Sequence, residues 1–314
     1  MSGQAGSKTT ARLDVPGQGL GPDTFVPYGS IRGAAAGPDV AVVAGVHGTE
    51  LVTQDAVQAI WRKVEPKDVT GSLTVIFVAD VLAAQAGIPG ANPVDGRNLN
   101  RVWPGSSQGT FSERLADRIW TELLSQSEIV VDVHGGEWTE EVTPFAIIHQ
   151  SGDGERDQRT LRLGDAMGLP HAQTSPGVGT LSGAVSRSGR IGLALEVGGG
   201  GRRSQADADE VIAAVIGVLA GAGLLTTTAA APRRRTVHLQ GGDQLRTSVA
   251  GVLVQQVELG QAVEAGQTLS LVTDFDGTVL EEIRSSKPGL ILLRGLSRVV
   301  APGALAATVG WPTD

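Results

Sequence analysis

The sequence predicts an α/β fold, a mixed but mostly parallel sheet flanked by helices, followed by a small all-β module. Three observations carry this. Five short, nearly continuous apolar runs rich in Val and Ile (residues 40–46, 73–79, 129–133, 145–148 and 191–197) have the texture of strands buried on both faces. Helical patterns fall between them, and strands alternating with helices build parallel crossovers. Beyond residue 232 the texture changes: residues 233–314 are rich in Gly and Val, read as short strands and show no convincing helix.

Taken in order, residues 1–25 are polar and Gly-rich and read as a loose arm. Residues 40–46 form the first strand of the α/β part, and residues 50–64 carry a helical pattern. Residues 73–79 return as a strand. Thr110-Phe-Ser-Glu113 is a capping-box signature, in which each side chain satisfies a backbone N–H at the other's position. Leu115, Ile119 and Leu123 then recur at i, i+4 and i+8 along one helix face. Strands follow at 129–133, 145–148 and 191–197, and a helix over 205–219. Residues 226–232, Thr-Thr-Thr-Ala-Ala-Ala-Pro, read as a linker. It divides the chain into an α/β unit over 1–228 and a β module over 233–314.

Within the module, residues 257–270 recur loosely as 296–305, and the pair resembles the two half-motifs of a biotinyl/lipoyl-type barrel-sandwich. Carrier domains of that kind hold a lysine on the hairpin between the halves. Here that hairpin is residues 273–277, Thr-Asp-Phe-Asp-Gly, and Lys287 falls later, where the second half begins. The module is therefore expected to carry no prosthetic group, to pack on the α/β unit and to trim the entrance of its site.

Composition narrows the function. A chain of 314 residues can bury a large core, and 41% hydrophobic with 18% charged residues is ordinary for a soluble protein. A net charge of −8 argues against nucleic-acid or anionic-membrane partners. The cluster Arg233-Arg-Arg235 sits beside the linker and reads as solvated. Zero Cys excludes disulfides, thiolate metal sites and cysteine nucleophiles. The first 25 residues lack the pattern of a signal peptide, and the longest apolar run, 211–225, is broken by Gly217, Gly221 and Gly223. The expectation is a cytoplasmic protein. Its oligomeric state stays open, and a homo-oligomer is compatible with the sequence.

The chemistry lies in two segments. Gly45-Val-His-Gly-Thr-Glu50 stands where a strand stops and a helix begins, and Val131-Asp-Val-His134 ends a second strand. Two imidazoles and one carboxylate suit a catalytic zinc ion, with His47, Glu50 and His134 as ligands and a fourth position open to water. Each has a plainer reading: a strand-end His, a Glu favoured by a helix N-terminus, a core histidine. Asp132 shares a strand face with His134 and either supports it or bonds a neighbouring backbone group. His149, His171 and His238 lack such context and read as structural or exposed.

Three more segments accompany these: Asp95-Gly-Arg-Asn-Leu-Asn-Arg-Val-Trp-Pro-Gly105, Gly135-Gly136, and Leu193-Ala-Leu-Glu-Val-Gly198. In this order they resemble the succinylglutamate desuccinylase/aspartoacylase family of carboxypeptidase A-like zinc hydrolases, over roughly residues 40–225. The resemblance implies one zinc ion per chain and hydrolysis of the amide of a small N-acyl amino acid. It makes Glu196 the general base and acid, serving a metal-activated water and then the leaving nitrogen. It places Asn100 and Arg101 on the substrate carboxylate, where a guanidinium fork can bind in two places. The plainer readings are a Glu196 pair with Arg187 or Arg190, and an Arg101 pair with Asp95. Relatives also carry an arginine upstream of Asn100 to polarise the scissile carbonyl. Residues 86–93 hold no cation, and Arg97 is the substitute. The pocket tyrosine of aspartoacylases has no counterpart, since the only tyrosine is Tyr28.

Other readings remain or fall. A carboxypeptidase would use the same metal on a peptide, and a non-catalytic binding protein could use the same scaffold. Glu196-Val-Gly-Gly-Gly-Gly201 is no phosphate loop, because position 203 is Arg and no Gly-Lys-Ser/Thr follows. No G-x-S-x-G occurs, which removes the usual serine-hydrolase elbow.

Overall fold

The computed structural model describes residues 5–17, 19, 21–226 and 234–312. In chain order the elements are β1 (Ser7–Val15), β2 (Thr24–Arg32), β3 (Ala35–Ala44), α1 (Leu51–Lys63), β4 (Thr70–Ile76), α2 (Val81–Ala86), α3 (Phe111–Glu122), β5 (Ile129–His134), β6 (Glu140–Ile148), α4 (Gly154–Ala166), β7 (His171–Thr174), α5 (Leu181–Arg187), β8 (Ile191–Gly199) and α6 (Gln205–Gly221). The C-terminal part adds β9 (Val237–Arg246), β10 (Gly251–Gln255), β11 (Ala262–Val263), β12 (Thr268–Thr273), β13 (Val279–Arg284), β14 (Gly289–Gly295), β15 (Val299–Val300) and β16 (Leu305–Pro312). No helix among the described residues is long and apolar enough to cross a membrane.

A 12-stranded sheet runs β1-β2-β4-β3-β5-β8-β6-β7-β9-β16-β14-β11. Its middle, β4-β3-β5-β8, is parallel, as are β6–β7 and β7–β9. The other neighbours are antiparallel. The sheet is thus mixed rather than mostly parallel. Helical crossovers carry the parallel pairs of the middle and, through α4, the β6–β7 pair, while the strands at the two edges are added by antiparallel pairing.

The middle strands read as expected because both faces are covered. Val40, Val42 and Ala44 of β3 point to one face, where α1 and α6 supply Ala56, Ile60, Val211 and Val215. Ala41 and Val43 point to the other, against Leu115 and Ile119 of α3 and Leu181 and Val185 of α5. The capping box of Thr110 and Glu113 does start α3. Three helices escaped the periodicity. In α4 only Thr160, Leu163 and Gly164 are buried, too few for a clear apolar stripe, and α2 and α5 are two turns or less.

Within the expected loose arm of residues 1–25, residues 7–15 form a strand. β1 pairs antiparallel with β2 from Ser7↔Arg32 to Val15↔Thr24, and Lys8 Nζ reaches Glu65 at 2.8 Å. It reads as polar because it is an edge strand with its outer face in solvent.

The C-terminal part continues the large sheet through β9, β16, β14 and β11. A second sheet, β13-β12-β10-β15, lies over it, so the two form a sandwich. Leu269, Ile291 and Val309, then Leu253, Val272 and Ile283, fill the space between. The 273–277 hairpin joins β12 to β13, with Phe275 exposed at its tip, and Lys287 stacks on Trp311. At the junction β14 pairs with β6, and Val142, Phe145, Leu239 and Leu292 pack together. Apart from Thr226, the expected linker lies outside the described residues.

Candidate active site

The bend after β3 is built on glycine. Gly45 has φ +65°, and a Cβ there would sit 2.9 Å from the Val78 backbone; a Cβ on Gly48 would sit 2.2 Å from the Ala84 nitrogen. His47 is held between these two close approaches. Glu50 occupies the N-cap of α1. His134 ends β5 directly beside Glu196 of β8, in parallel register. Neighbours in register project to one face of a sheet, so topology alone sets Glu196 next to the metal-binding candidates.

The ligand-type atoms of His47, Glu50 and His134 all lie within 4.8 Å of one another. His47 Nδ1 is 2.6 Å from Glu50 Oε1, and His134 Nδ1 is 3.1 Å from Glu50 Oε2. The outer ring nitrogens face support. His47 Nε2 is 3.0 Å from Asn98 Oδ1, an oxygen that also accepts from the Asn100 N–H. An amide oxygen only accepts, so the proton sits on Nε2 and Nδ1 offers its lone pair inward. His134 Nε2 lies 3.0 Å from both Asp132 Oδ1 and Asn100 Nδ2. It cannot donate to one and accept from the other at once. The carboxylate is the stronger partner, which also leaves Nδ1 free to bind a cation. Asp132 is fully buried and, the His134 ring apart, neither of its oxygens has a hydrogen-bond donor among the described residues. A buried carboxylate in that state calls for a positive centre close by, and a metal held by His134 would supply one. The donor set, two imidazoles and a carboxylate with supported outer nitrogens, fits zinc.

The electrostatics follow. Burial would raise the Glu50 carboxyl, but the charges of His134 and His47 outweigh it and hold it at about 2. Burial likewise opposes protonation of His134, yet Asp132 and Glu50 raise it well above the ordinary imidazole range. Glu196 goes the other way: burial, with Glu50 and Glu140 adding to it, pushes its carboxyl to about 8. Glu140 is pushed to about 7, by burial and then by Glu137 and Glu50. Carboxylates driven apart in one site are the pattern of divided acid–base roles.

A cavity of about 430 Å³ gathers these groups. Its walls include His47, Glu50, His134, Glu137, Glu140, Glu196, Asn100 and Arg101, together with Gln244, Arg246, Leu293, Leu305 and Thr308 from the C-terminal part. Residues of the C-terminal part thus contribute to the lining of this cavity.

Of the expected site residues, the structure brings His47, Glu50, His134, Glu196, Asn100 and Arg101 to this cavity. Arg97 is not among the lining residues; it is half-exposed, with the Glu113 carboxylate at 3.9 Å. Its short turn is tied down by Asp95, which binds the Arg97 and Ser112 N–H groups and so directs the side chain outward. Asn100 is already committed: its oxygen accepts from the Leu181 N–H at 2.8 Å and its nitrogen faces His134. Arg101 lies on the wall with one nitrogen bonded to the Asn100 carbonyl at 2.7 Å. The alternative pairs for Glu196 and Arg101 are not formed. Arg187 binds the Gly177 carbonyl, Arg190 those of Leu124 and Ser127, and Asp95 serves the start of α3.

Sequence reasoning missed Asn98, Glu137, Glu140 and His149. Asn98 stood in view in the 95–105 segment. Glu137 accepts from Thr49 at 2.7 Å across 88 residues of sequence, which no local pattern reveals. His149 is buried and lines the cavity; its Nδ1–H donates to the Ser175 carbonyl, so Nε2 accepts from Ser182 Oγ.

Comparison with known proteins agrees with this geometry. Residues 36–222, more than half of the chain, match the Succinylglutamate desuccinylase/Aspartoacylase catalytic domain. The chain is 29% identical over 281 residues to the N-alpha-acetyl-L-2,4-diaminobutyric acid deacetylase of Halomonas elongata, covering 87% of this chain and 82% of that one. It is similar to a succinylglutamate desuccinylase/aspartoacylase from Rhodobacter sphaeroides (26% identity, TM-score 0.87, 98% and 96% of the two chains). It is equally similar to the product-bound ectoine utilization protein EutE (DoeB) from Ruegeria pomeroyi (26% identity, TM-score 0.87, 97% and 95%).

Proposed function

We propose that this chain, which belongs to the succinylglutamate desuccinylase/aspartoacylase family and is a deacylase of N-acyl amino acids, works at a zinc ion held by His47, Glu50 and His134 on an N-acetylated diamino acid. The observation that carries this reading is the register pair His134↔Glu196 beside the three converging ligand atoms. A zinc ion bound there supplies Lewis acidity to the acyl carbonyl and the attacking water. Glu196 takes a proton from that water and returns it to the leaving nitrogen. Its raised pKa suits a group that must both accept and donate near neutral pH. Asn98 and Asp132 hold the two imidazoles in the tautomer the metal needs.

Charge supports the substrate class. Beyond the ligand Glu50 and the base Glu196, the cavity carries Glu137 and Glu140, and burial drives both carboxyls up. A free ammonium group on the substrate would offset them, as in the 2,4-diaminobutyric acid of the Halomonas relative's name. A cavity walled by the β module also favours a small molecule over a peptide lying in an open groove.

Elemental analysis of the purified protein should find about one zinc per chain, lost in the His47→Ala/His134→Ala variant. Hydrolysis should be faster for N-alpha-acetyl-2,4-diaminobutyrate than for N-acetylaspartate or N-succinylglutamate. Unchanged metal content in the double variant removes the ligand set, and a preference for the acidic substrates removes the diamino-acid reading.

A further inference from the structure

The cavity lining includes two cations, Arg101 from the α/β unit and Arg246 from the end of β9. Nothing so far explains the second. We propose that Arg246 is a specificity-determining residue: it binds the substrate α-carboxylate alongside Arg101, so that the C-terminal module completes the substrate site. This rests on the reading of the enzyme as a deacylase of N-acyl amino acids.

Charge makes the first argument. Glu50, Glu137, Glu140 and Glu196 all line this space, and each repels a substrate carboxylate whenever it is ionised. The carboxylate must lie where guanidinium groups offset them. Arg101 supplies one guanidinium, with one of its N–H groups donated to the Asn100 carbonyl, and the Asn100 side-chain oxygen accepts from the Leu181 N–H.

Position makes the second. Residues 173 and 175–178 of the β7–α5 segment line the cavity, and β9 runs parallel beside β7. Arg101 abuts the same segment, because a Cβ on Gly179 would stand 2.6 Å from the Arg101 carbonyl. Arg101 and Arg246 thus enter the same cavity lining from distant parts of the chain, while Glu137 comes from the β5–β6 turn and Glu140 from the start of β6.

Preorganisation makes the third. Arg246 Nη1 donates to the Gly303 carbonyl at 2.9 Å, and Nη2 donates to Gln244 Oε1 at 3.2 Å. A guanidinium has five N–H groups, so donors remain for a ligand. The plainer role is a strap on the 301–304 turn. That turn is already held by Thr247, through its N–H to the Ala304 carbonyl, its carbonyl from the Gly303 N–H, and its hydroxyl to the Ala301 carbonyl. The cation at position 246 is therefore not needed to hold this turn, and Arg246 is one of the residues that line the cavity.

The test is steady-state hydrolysis of N-alpha-acetyl-2,4-diaminobutyrate and its α-carboxamide by wild type, Arg246→Gln and Arg246→Lys, with melting curves alongside. On the carboxylate, Arg246→Gln should raise KM about 10- to 100-fold, the usual reach of a charged hydrogen bond, with kcat within about threefold. Arg246→Lys should recover part of the loss, because it keeps charge without the fork. On the carboxamide, wild type and Arg246→Gln should agree within about twofold, because the partner is already absent. An unchanged KM on the carboxylate overturns the proposal. So does an equal loss on both substrates, or a loss of kcat with a lowered melting temperature, which marks a structural strap. A wild type inactive on both compounds overturns the deacylase reading, and this proposal with it. An active wild type with an unaffected variant overturns this proposal alone.

Discussion

Glu140 and Glu141 follow one another at the start of β6, and their surroundings drive their carboxyls in opposite directions. At the junction where β14 meets β6, Glu141 is held between Arg294 and Arg202, and Arg294 also reaches Glu258 at 2.6 Å. Burial would raise the Glu141 carboxyl, but the two guanidinium groups outweigh it and lower it. The same junction buries Val142, Phe145, Leu239 and Leu292. It is a region where each charge is matched and the remainder is apolar. Glu140, one residue away, and Glu196 at the carboxyl end of β8 form, by contrast, no ion pair with Arg or Lys among the described residues, and burial pushes them to about 7 and about 8. The site keeps an excess of like charge that the junction avoids. Unmatched charge costs stability, and it is the condition for binding a metal and a cationic group and for moving a proton near neutral pH.

If that contrast is right, removing the charge at position 196 should cost activity and spare the fold. Glu196→Gln should lose about 10²–10⁴ in kcat, the usual share of one proton-transfer group, with zinc content kept and a melting temperature no lower than wild type. Near-native turnover in the zinc-loaded variant would take Glu196 out of the mechanism.

The junction should respond in the opposite way. Leu292 is fully buried in the junction core. Leu292→Ala should cost about 2–5 kcal/mol of unfolding free energy, read by denaturant titration, while kcat of the folded fraction stays within a few-fold. A large fall in kcat without a loss of stability would mean that this packing tunes the site directly, and the two regions would not be separable.

The smallest effect is a pH dependence. The folded protein keeps the Glu140 proton up to about pH 7, whereas an unperturbed carboxyl releases it near 4.5. Between those values the folded state binds more protons than the unfolded state, so this group makes stability fall as pH rises. Glu140→Gln removes the term. In metal-stripped protein, the stability loss between pH 5 and pH 8 should shrink by about 1–3 kcal/mol relative to wild type. Parallel pH profiles for the two proteins would show that Glu140 is relieved by a partner in solution.

Much of this was legible in the chain. The middle strands and α1, α3 and α6 announce themselves because a strand covered on both faces must be apolar throughout, and because caps and heptad-like spacing are local. His47, Glu50 and His134 were readable for the same reason: each stands at a boundary between local patterns, where a strand ends on a glycine or a helix begins. What those patterns could not carry was anything decided by which strands become neighbours. The edge strand β1 looked like a loose arm, since half of an edge strand faces water. The sheet looked mostly parallel because the meander that joins β9, β16, β14 and β11 to it is invisible to periodicity. Arg97 looked available as a cation until the turn held by Asp95 directed it outward, and the Leu181 N–H that the Asn100 side-chain oxygen accepts lies 81 residues away. Composition and local spacing determine the elements and the candidate ligands, because burial and capping act within a few residues. Only tertiary structure decides the pairing of Glu196 with His134, the bond from Thr49 to Glu137 and the arrival of Arg246 from a strand more than a hundred residues away. Register and long-range charge are properties of the assembled sheet, and no single segment encodes them.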